Sequence, residues 1–145
     1  MEKHLETVFP VIPGLFYQGG WLGEWREAAV IYKINSFIDV AGFIPNPLPC
    51  RYAIFSSVPM KDNNTLPDLT VAYACASHGA ALIKEHYKLL VCCIGGINRS
   101  AFMCGLILHK LGHDHGLQIV SMLRDANPDC LENSTFRYYL ENIGY

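Results

Sequence analysis

Cys93 and Arg99 stand with five residues between them in Cys93-Ile94-Gly95-Gly96-Ile97-Asn98-Arg99-Ser100, a spacing suited to nucleophilic displacement at a phosphoryl group. A thiol attacks well only as thiolate, and a cysteine at a helix N-terminus beside an arginine ionises at roughly pH 3.5 to 7.5 instead of ~8.5. That environment predicts an ionised Cys93 at neutral pH. Arg99 offers a rigid fork of donors that can hold two phosphoryl oxygens and keep holding them as phosphorus becomes trigonal bipyramidal. Gly95 and Gly96 permit backbone angles closed to other residues and a close approach of the main chain to a ligand. Ser100 adds a hydroxyl beside the sulfur, placed to steady the thiolate when it leaves. The backbone of Ile94, Gly95, Gly96, Ile97, Asn98 and Arg99 is therefore the expected phosphate cradle.

Such a cradle needs a strand to deliver the cysteine and a helix to receive the arginine. Lys88-Leu89-Leu90-Val91-Cys92 is a short apolar run that reads as a buried strand, and Ser100 to Leu111 reads as a buried helix ended by Gly112. The octet is then a strand-to-helix turn, which points successive N–H groups and the positive helix end into one small volume. Upstream, Leu69, Ala72, Tyr73, Ala76, Ala80, Ile83 and Tyr87 recur at helical spacing from Asp68 onward, so an amphipathic helix leads into the nucleophile's strand. Strand, crossover helix and parallel strand make the right-handed unit of an α/β sheet. Two more helices are expected around Leu117–Asp125 and Ser134–Asn142. The predicted fold class is α/β: a small, mostly parallel sheet flanked by helices, with its ligand site at the carboxyl ends of the strands.

Cleaving a phosphate ester leaves an alkoxide or phenoxide, so a positioned carboxylic acid should add roughly 10²- to 10⁴-fold. Asp62 lies in the polar loop Pro59-Met60-Lys61-Asp62-Asn63-Asn64, which can swing over the pocket. Asp68 sits in Thr65-Leu66-Pro67-Asp68 before an apolar run, the place of a helix-capping acid. Asp62 is therefore the expected general acid. Asp39, at the end of an apolar stretch, is expected to bond loop amides. His113-Asp114-His115 reads as an exposed turn, and no metal site or cofactor is expected.

The octet resembles the signature of the protein tyrosine phosphatase superfamily, His-Cys-five residues-Arg-Ser/Thr, and the chain is most similar to a compact dual-specificity phosphatase. Ile12-Pro13-Gly14-Leu15-Phe16-Tyr17-Gln18-Gly19 looks like that family's first strand, Phe37-Ile38-Asp39-Val40 like its second and Arg51 to Pro59 like its third. Met122-Leu123-Arg124, Pro128, Asn133, Phe136 and Leu140 are similar to its closing pattern. The resemblance implies that Asn133 braces the phosphate loop, and that Asp62, ionised after the first step, activates water against a phosphocysteine at Cys93. Its departure is Cys92, which stands where a histidine supports the loop and helps tune the nucleophile. No insertion builds a deep slot selective for phosphotyrosine, so phosphotyrosine and phosphoserine or phosphothreonine in proteins or peptides are the implied substrates. Asn98 before Arg99 also resembles the RNA 5′-triphosphatase branch. Two more readings compete with these: an inositol-phosphate phosphatase, for which the uncharged loop is unsuited, and a non-catalytic phospho-binding module.

At 145 residues and 51% hydrophobic composition, the chain is expected to form one domain over 1–145 with a real core. The net charge is −2 and the eleven Lys and Arg are scattered, so no nucleic-acid surface is expected. No apolar stretch approaches the ~20 residues of a membrane span. The six cysteines form no repeated Cys-x-x-Cys pairs and are expected as reduced thiols. A cytoplasmic monomer is the resulting expectation. Pro45-Asn46-Pro47-Leu48-Pro49 reads as a connection between strands.

Overall fold

A computed structural model describes residues 5–43 and 54–144, so the proline-dense connection, Cys50 and the start of the expected third strand lie outside the described residues. The elements run β1 (Val8–Ile12), β2 (Phe16–Gly20), α1 (Trp25–Ile31), β3 (Ser36–Asp39), β4 (Ile54–Ser57), α2 (Leu69–Lys84), β5 (Leu89–Cys93), α3 (Arg99–Lys110), α4 (Gly116–Ala126) and α5 (Ser134–Glu141). The strands form one sheet in the order β1-β2-β5-β3-β4. β2, β5, β3 and β4 pair in parallel, and β1 closes one edge antiparallel to β2. The sheet is mostly parallel, as the crossover pattern predicts.

Period-two alternation along β5 divides the interior. Leu89, Val91 and Cys93 face the larger cluster with Phe102, Met103, Leu106, Ile107, Phe136 and Leu140. Leu90 and Cys92 face the other side, with Tyr17, Trp21, Trp25, Ala28, Ile34 and Phe37. α1 covers that second side through Trp25 and Ala28. Residues of α2 to α5 build the first cluster, around an α3 whose residues from Ser100 to Leu108 are all buried. A helix apolar on more than one face must sit inside other helices, which is where α3 lies.

One expected strand differs in the structure, and two elements carry no clear signal in the sequence. Ile12 to Gly19 is no single strand: Ile12-Pro13-Gly14-Leu15 turns a hairpin, with Gly14 at φ 84° and Leu15 N–H donating to Ile12 O at 3.0 Å, and β2 begins only at Phe16. Of β1 only Val8 is buried, so no alternation marks that strand. α1 spans seven residues and buries two of them, too few for a helical period to register. Asp68 caps α2 as expected, its carboxylate accepting from Thr70 N–H at 3.0 Å and Val71 N–H at 3.3 Å. Asp39 accepts from the N–H groups of Ala41 and Gly42, from Ser57 Oγ and from Trp21 Nε1, fixing the turn that follows β3.

Candidate active site

β5 ends at Cys93 and α3 begins at Arg99, so the intervening residues form the strand-to-helix loop at the carboxyl end of the central strand. Gly96 has φ 75°, and a Cβ there would lie 2.9 Å from Gly19 C and 3.0 Å from Gly20 N. Both the backbone angle and the closeness of β2 require glycine at 96. Gly95 is different: it is exposed, with open space where a Cβ would be, so the structure gives no reason for glycine there.

The Cys93 side chain lies at the bottom of the loop, 2% exposed. Gly96 N–H donates to its sulfur at 3.2 Å, and Ser100 Oγ lies 3.2 Å from it. Asn98, the N-cap of α3, gives that helix no side-chain cap, so the first N–H groups of α3 are left to the loop mouth. Arg99 Nη1 donates to Met60 O at 3.3 Å, while its Nε is buried with no partner. Among the described residues it is the one buried side-chain nitrogen or oxygen without a hydrogen bond. A buried unpaired guanidinium donor costs free energy until it finds an acceptor.

Asp62 stands over this loop from the segment after β4. Its Oδ2 accepts from Asn98 Nδ2 at 3.1 Å, and its Oδ1 accepts from Asn133 Nδ2 at 2.9 Å. Asn133 also donates through Nδ2 to Asn63 O at 2.7 Å, and its Oδ1 caps α5 by accepting from Phe136 N–H at 3.1 Å. The Asn133 side chain thus braces the segment that carries Asp62, where the resemblance implies the phosphate loop; Asn133 reaches the Cys93–Arg99 loop only through its backbone N–H, which donates to Asn98 Oδ1 at 2.8 Å. The reason lies in position: as N-cap of α5, Asn133 has its side-chain oxygen committed to the helix and its NH₂ group turned toward residues 62–63. Beyond Ser134 and Thr135, the groove beside Asp62 continues into an apolar hollow lined by Leu66, Tyr138 and Tyr139.

Cys92 does not support the loop either. Its side chain is fully buried on the opposite face of the sheet from Cys93, among Trp21, Trp25 and Phe37. Burial pushes its thiol well above the ordinary range. The loop is held from behind by two residues outside the sequence-predicted site, Gln18 of β2 and Asn127 after α4. Gln18 Nε2 donates to Gly96 O at 2.5 Å and to Ser100 Oγ at 2.7 Å, and Asn127 Nδ2 donates to Gly96 O at 3.2 Å and to Gln18 Oε1 at 3.0 Å. A signal for Gln18 is present in the sequence: a lone uncharged polar residue inside Leu15-Phe16-Tyr17-Gln18-Gly19 must find partners if the strand is buried. Asn127 precedes Pro128 and reads locally only as a turn.

Neither a protein-family model nor a curated protein sequence matches the chain. Solved structures do. A point variant of human DUSP28 aligns with TM-score 0.78 at 20% identity, covering 96% of this chain and 94% of that one. A mouse putative dual specificity phosphatase, solved in complex with zinc tungstate, aligns with TM-score 0.76 at 23% identity over 97% and 90%. DUSP15 aligns with TM-score 0.80 at 20% identity over 95% and 87%. The chain therefore has the compact fold of the dual-specificity phosphatases.

Proposed function

We propose that the chain is a cysteine-dependent phosphatase that hydrolyses phosphotyrosine and phosphoserine or phosphothreonine in proteins or peptides. The observation that carries this reading is the Arg99 guanidinium, whose Nε is buried and unpartnered beside the Cys93 loop. Two oxygens of a phosphoryl group would take that donor and the free N–H groups at the start of α3. Cys93 Sγ then attacks phosphorus; the S–P bond forms as the ester P–O bond breaks, and Asp62 gives its proton to the leaving oxygen. In the second step water attacks phosphorus, the S–P bond breaks with its electron pair returning to sulfur, and Asp62 takes the proton of the water. Transition-state charge falls on Arg99 and the loop amides, of which Gly96 N–H already points at the sulfur from 3.2 Å.

The similar mouse protein bound to zinc tungstate gives a probe, since tungstate is a tetrahedral oxyanion like phosphate. Tungstate and vanadate should inhibit this chain competitively, and a chelator should leave turnover intact. The uncharged side chains of Ile94, Ile97 and Asn98 at the loop mouth favour phosphopeptides over inositol phosphates. A reducing, cytoplasmic setting suits the free thiols of the five described cysteines. The deciding experiment is a panel of phosphotyrosine, phosphoserine and phosphothreonine peptides, an inositol phosphate and a 5′-triphosphate RNA, with Cys93→Ser as control. Release of phosphate from the peptides alone, absent in the control, is expected; preferential γ-phosphate release from RNA would move the assignment to the triphosphatase branch.

A further inference from the structure

The two buried amides behind the loop have a fixed polarity. Gly96 O can only accept, so the atoms that Gln18 and Asn127 present to it at 2.5 Å and 3.2 Å are both NH₂ groups. The second hydrogen of the Asn127 NH₂ goes to Gln18 Oε1 at 3.0 Å, and Asn127 Oδ1 accepts from Asp129 N–H at 3.3 Å. Asn127 is thus fully committed, and it fixes the orientation of Gln18 from the opposite end. Gln18 Nε2 has one hydrogen left, and Ser100 Oγ lies 2.7 Å away to receive it. The Ser100 hydroxyl carries a single proton. With Gln18 donating into its oxygen, that proton is directed at its other neighbour, Cys93 Sγ at 3.2 Å. Gln18 is 2% exposed, Asn127 3% and Ser100 0%, so water does not compete for these bonds.

We propose that Gln18, oriented by Asn127, holds the Ser100 hydroxyl as a permanent donor to the Cys93 sulfur, which makes Gln18 and Asn127 positioning residues for the nucleophile. The inference rests on the phosphatase reading and extends it to the residues that set the polarity of the site. Its consequence is greatest in the second step, where sulfur is the leaving group and needs a donor as the S–P bond breaks. A hydroxyl free to rotate would spend part of its time as an acceptor and would have to be turned in each cycle. Relay through amides from β2 and the end of α4 also ties the nucleophile to the sheet, so the donor geometry does not depend on the exposed acid loop.

The test is a double-mutant cycle between Gln18→Met, which keeps the volume and removes both donors, and Ser100→Ala, with Asn127→Ala as a second route to the same loss. Gln18→Met is expected to lower kcat by about 10-fold or more, the range for one hydrogen bond to a charged group, with a pre-steady-state burst of nitrophenolate as phosphocysteine accumulates. kcat/KM should fall less than kcat. In the Ser100→Ala background the same substitution should cost less than about 2-fold, because its target is gone. The pH at which iodoacetamide alkylates Cys93 at half its maximal rate, read by mass spectrometry without any turnover, should move up in Gln18→Met and Ser100→Ala alike and no further in the double variant. This readout separates failure of the relay from failure of the phosphatase reading. Melting temperatures identify variants that are merely unfolded, and Asn127→Ala then supplies the comparison. Equal losses from Gln18→Met with and without Ser100, or an unmoved alkylation profile in folded variants, would overturn the proposal.

Discussion

The two halves of the site are held in opposite ways. The Cys93 loop is fastened from beneath by Gln18 and Asn127, both buried, whereas the Asp62 loop is fastened from above by Asn98 and Asn133, where Asp62 is exposed to solvent. A buried amide that loses its partner leaves an unsatisfied group in a low dielectric, while an exposed one is re-solvated. The inner brace should therefore be rigid and costly to break, and the outer brace adjustable. That division suits the proposed reaction, in which Cys93 must stay fixed while Asp62 alternates between giving and taking a proton.

Substitutions at the inner end should cost most. Cys93→Ser should abolish turnover, and Arg99→Lys should lower it on the order of 10²- to 10³-fold, the loss of one preorganised transition-state donor, because a point charge cannot reproduce the fork. Steady-state kinetics on nitrophenyl phosphate read both. At the outer end, Asp62→Asn should lower kcat roughly 10²- to 10⁴-fold for phosphoserine peptides and far less for nitrophenyl phosphate, whose leaving group needs little protonation. Asp68→Asn, which touches only the α2 cap, should leave kinetics near wild type and cost about 1 kcal/mol of stability or less by urea unfolding.

Smaller effects sharpen the contrast. Asn98→Ala and Asn133→Ala should each cost about 10-fold on poor leaving groups, the order of a hydrogen bond to a charged group, and nothing further in the Asp62→Asn background. Cys92→Ala should cost about 1 to 2 kcal/mol, as for a small cavity among aromatic side chains, and leave the pH–rate profile unmoved, since residue 92 faces away from the nucleophile. The smallest expected effect concerns pH and stability. Burial raises the Cys75 and Cys130 thiols to about 11 and pushes those of Cys92 and Cys104 well up. The unfolded thiols ionise at ~8.5, so above that pH the unfolded state binds fewer protons and stability falls as pH rises toward about 11. Urea midpoints should be flat with respect to these thiols below about pH 8 and decline from there to about pH 10; removing Cys130 should make the decline shallower.

Much of the fold, and the gathering of Cys93, Ser100 and Asp62 about one loop, is legible in the sequence because the signals are local. Cys93, Arg99 and Ser100 announce a strand-to-helix turn by their spacing, and α2 and α3 by long apolar periods. Asp68 announces its cap in the same way. Gln18 and Asn127 act on a loop 78 and 31 residues away at Gly96, so nothing in their own neighbourhoods reveals the partner. The sheet brings Gln18 to the loop: Gly19 and Gly20 of β2 lie in register with Cys92 and Cys93 of β5, which puts Gln18 directly behind it. Cys92 shows the converse. A motif position suggests a role, but strand alternation turns its side chain to the far face, and the pleat decides which of two adjacent cysteines faces Ser100 and the loop.

In the proposed reaction Cys93 forms a covalent phosphocysteine in the cradle closed by Arg99. Rapid acid quench of the enzyme turning over a ³²P-labelled phosphopeptide, followed by peptide mass spectrometry, tests it directly. A labelled phosphate on the peptide that carries Cys93, accumulating further in Gln18→Met and absent in Cys93→Ser, is the predicted result. Turnover without any phosphorylated Cys93, or turnover that survives Cys93→Ser, would exclude the phosphocysteine route.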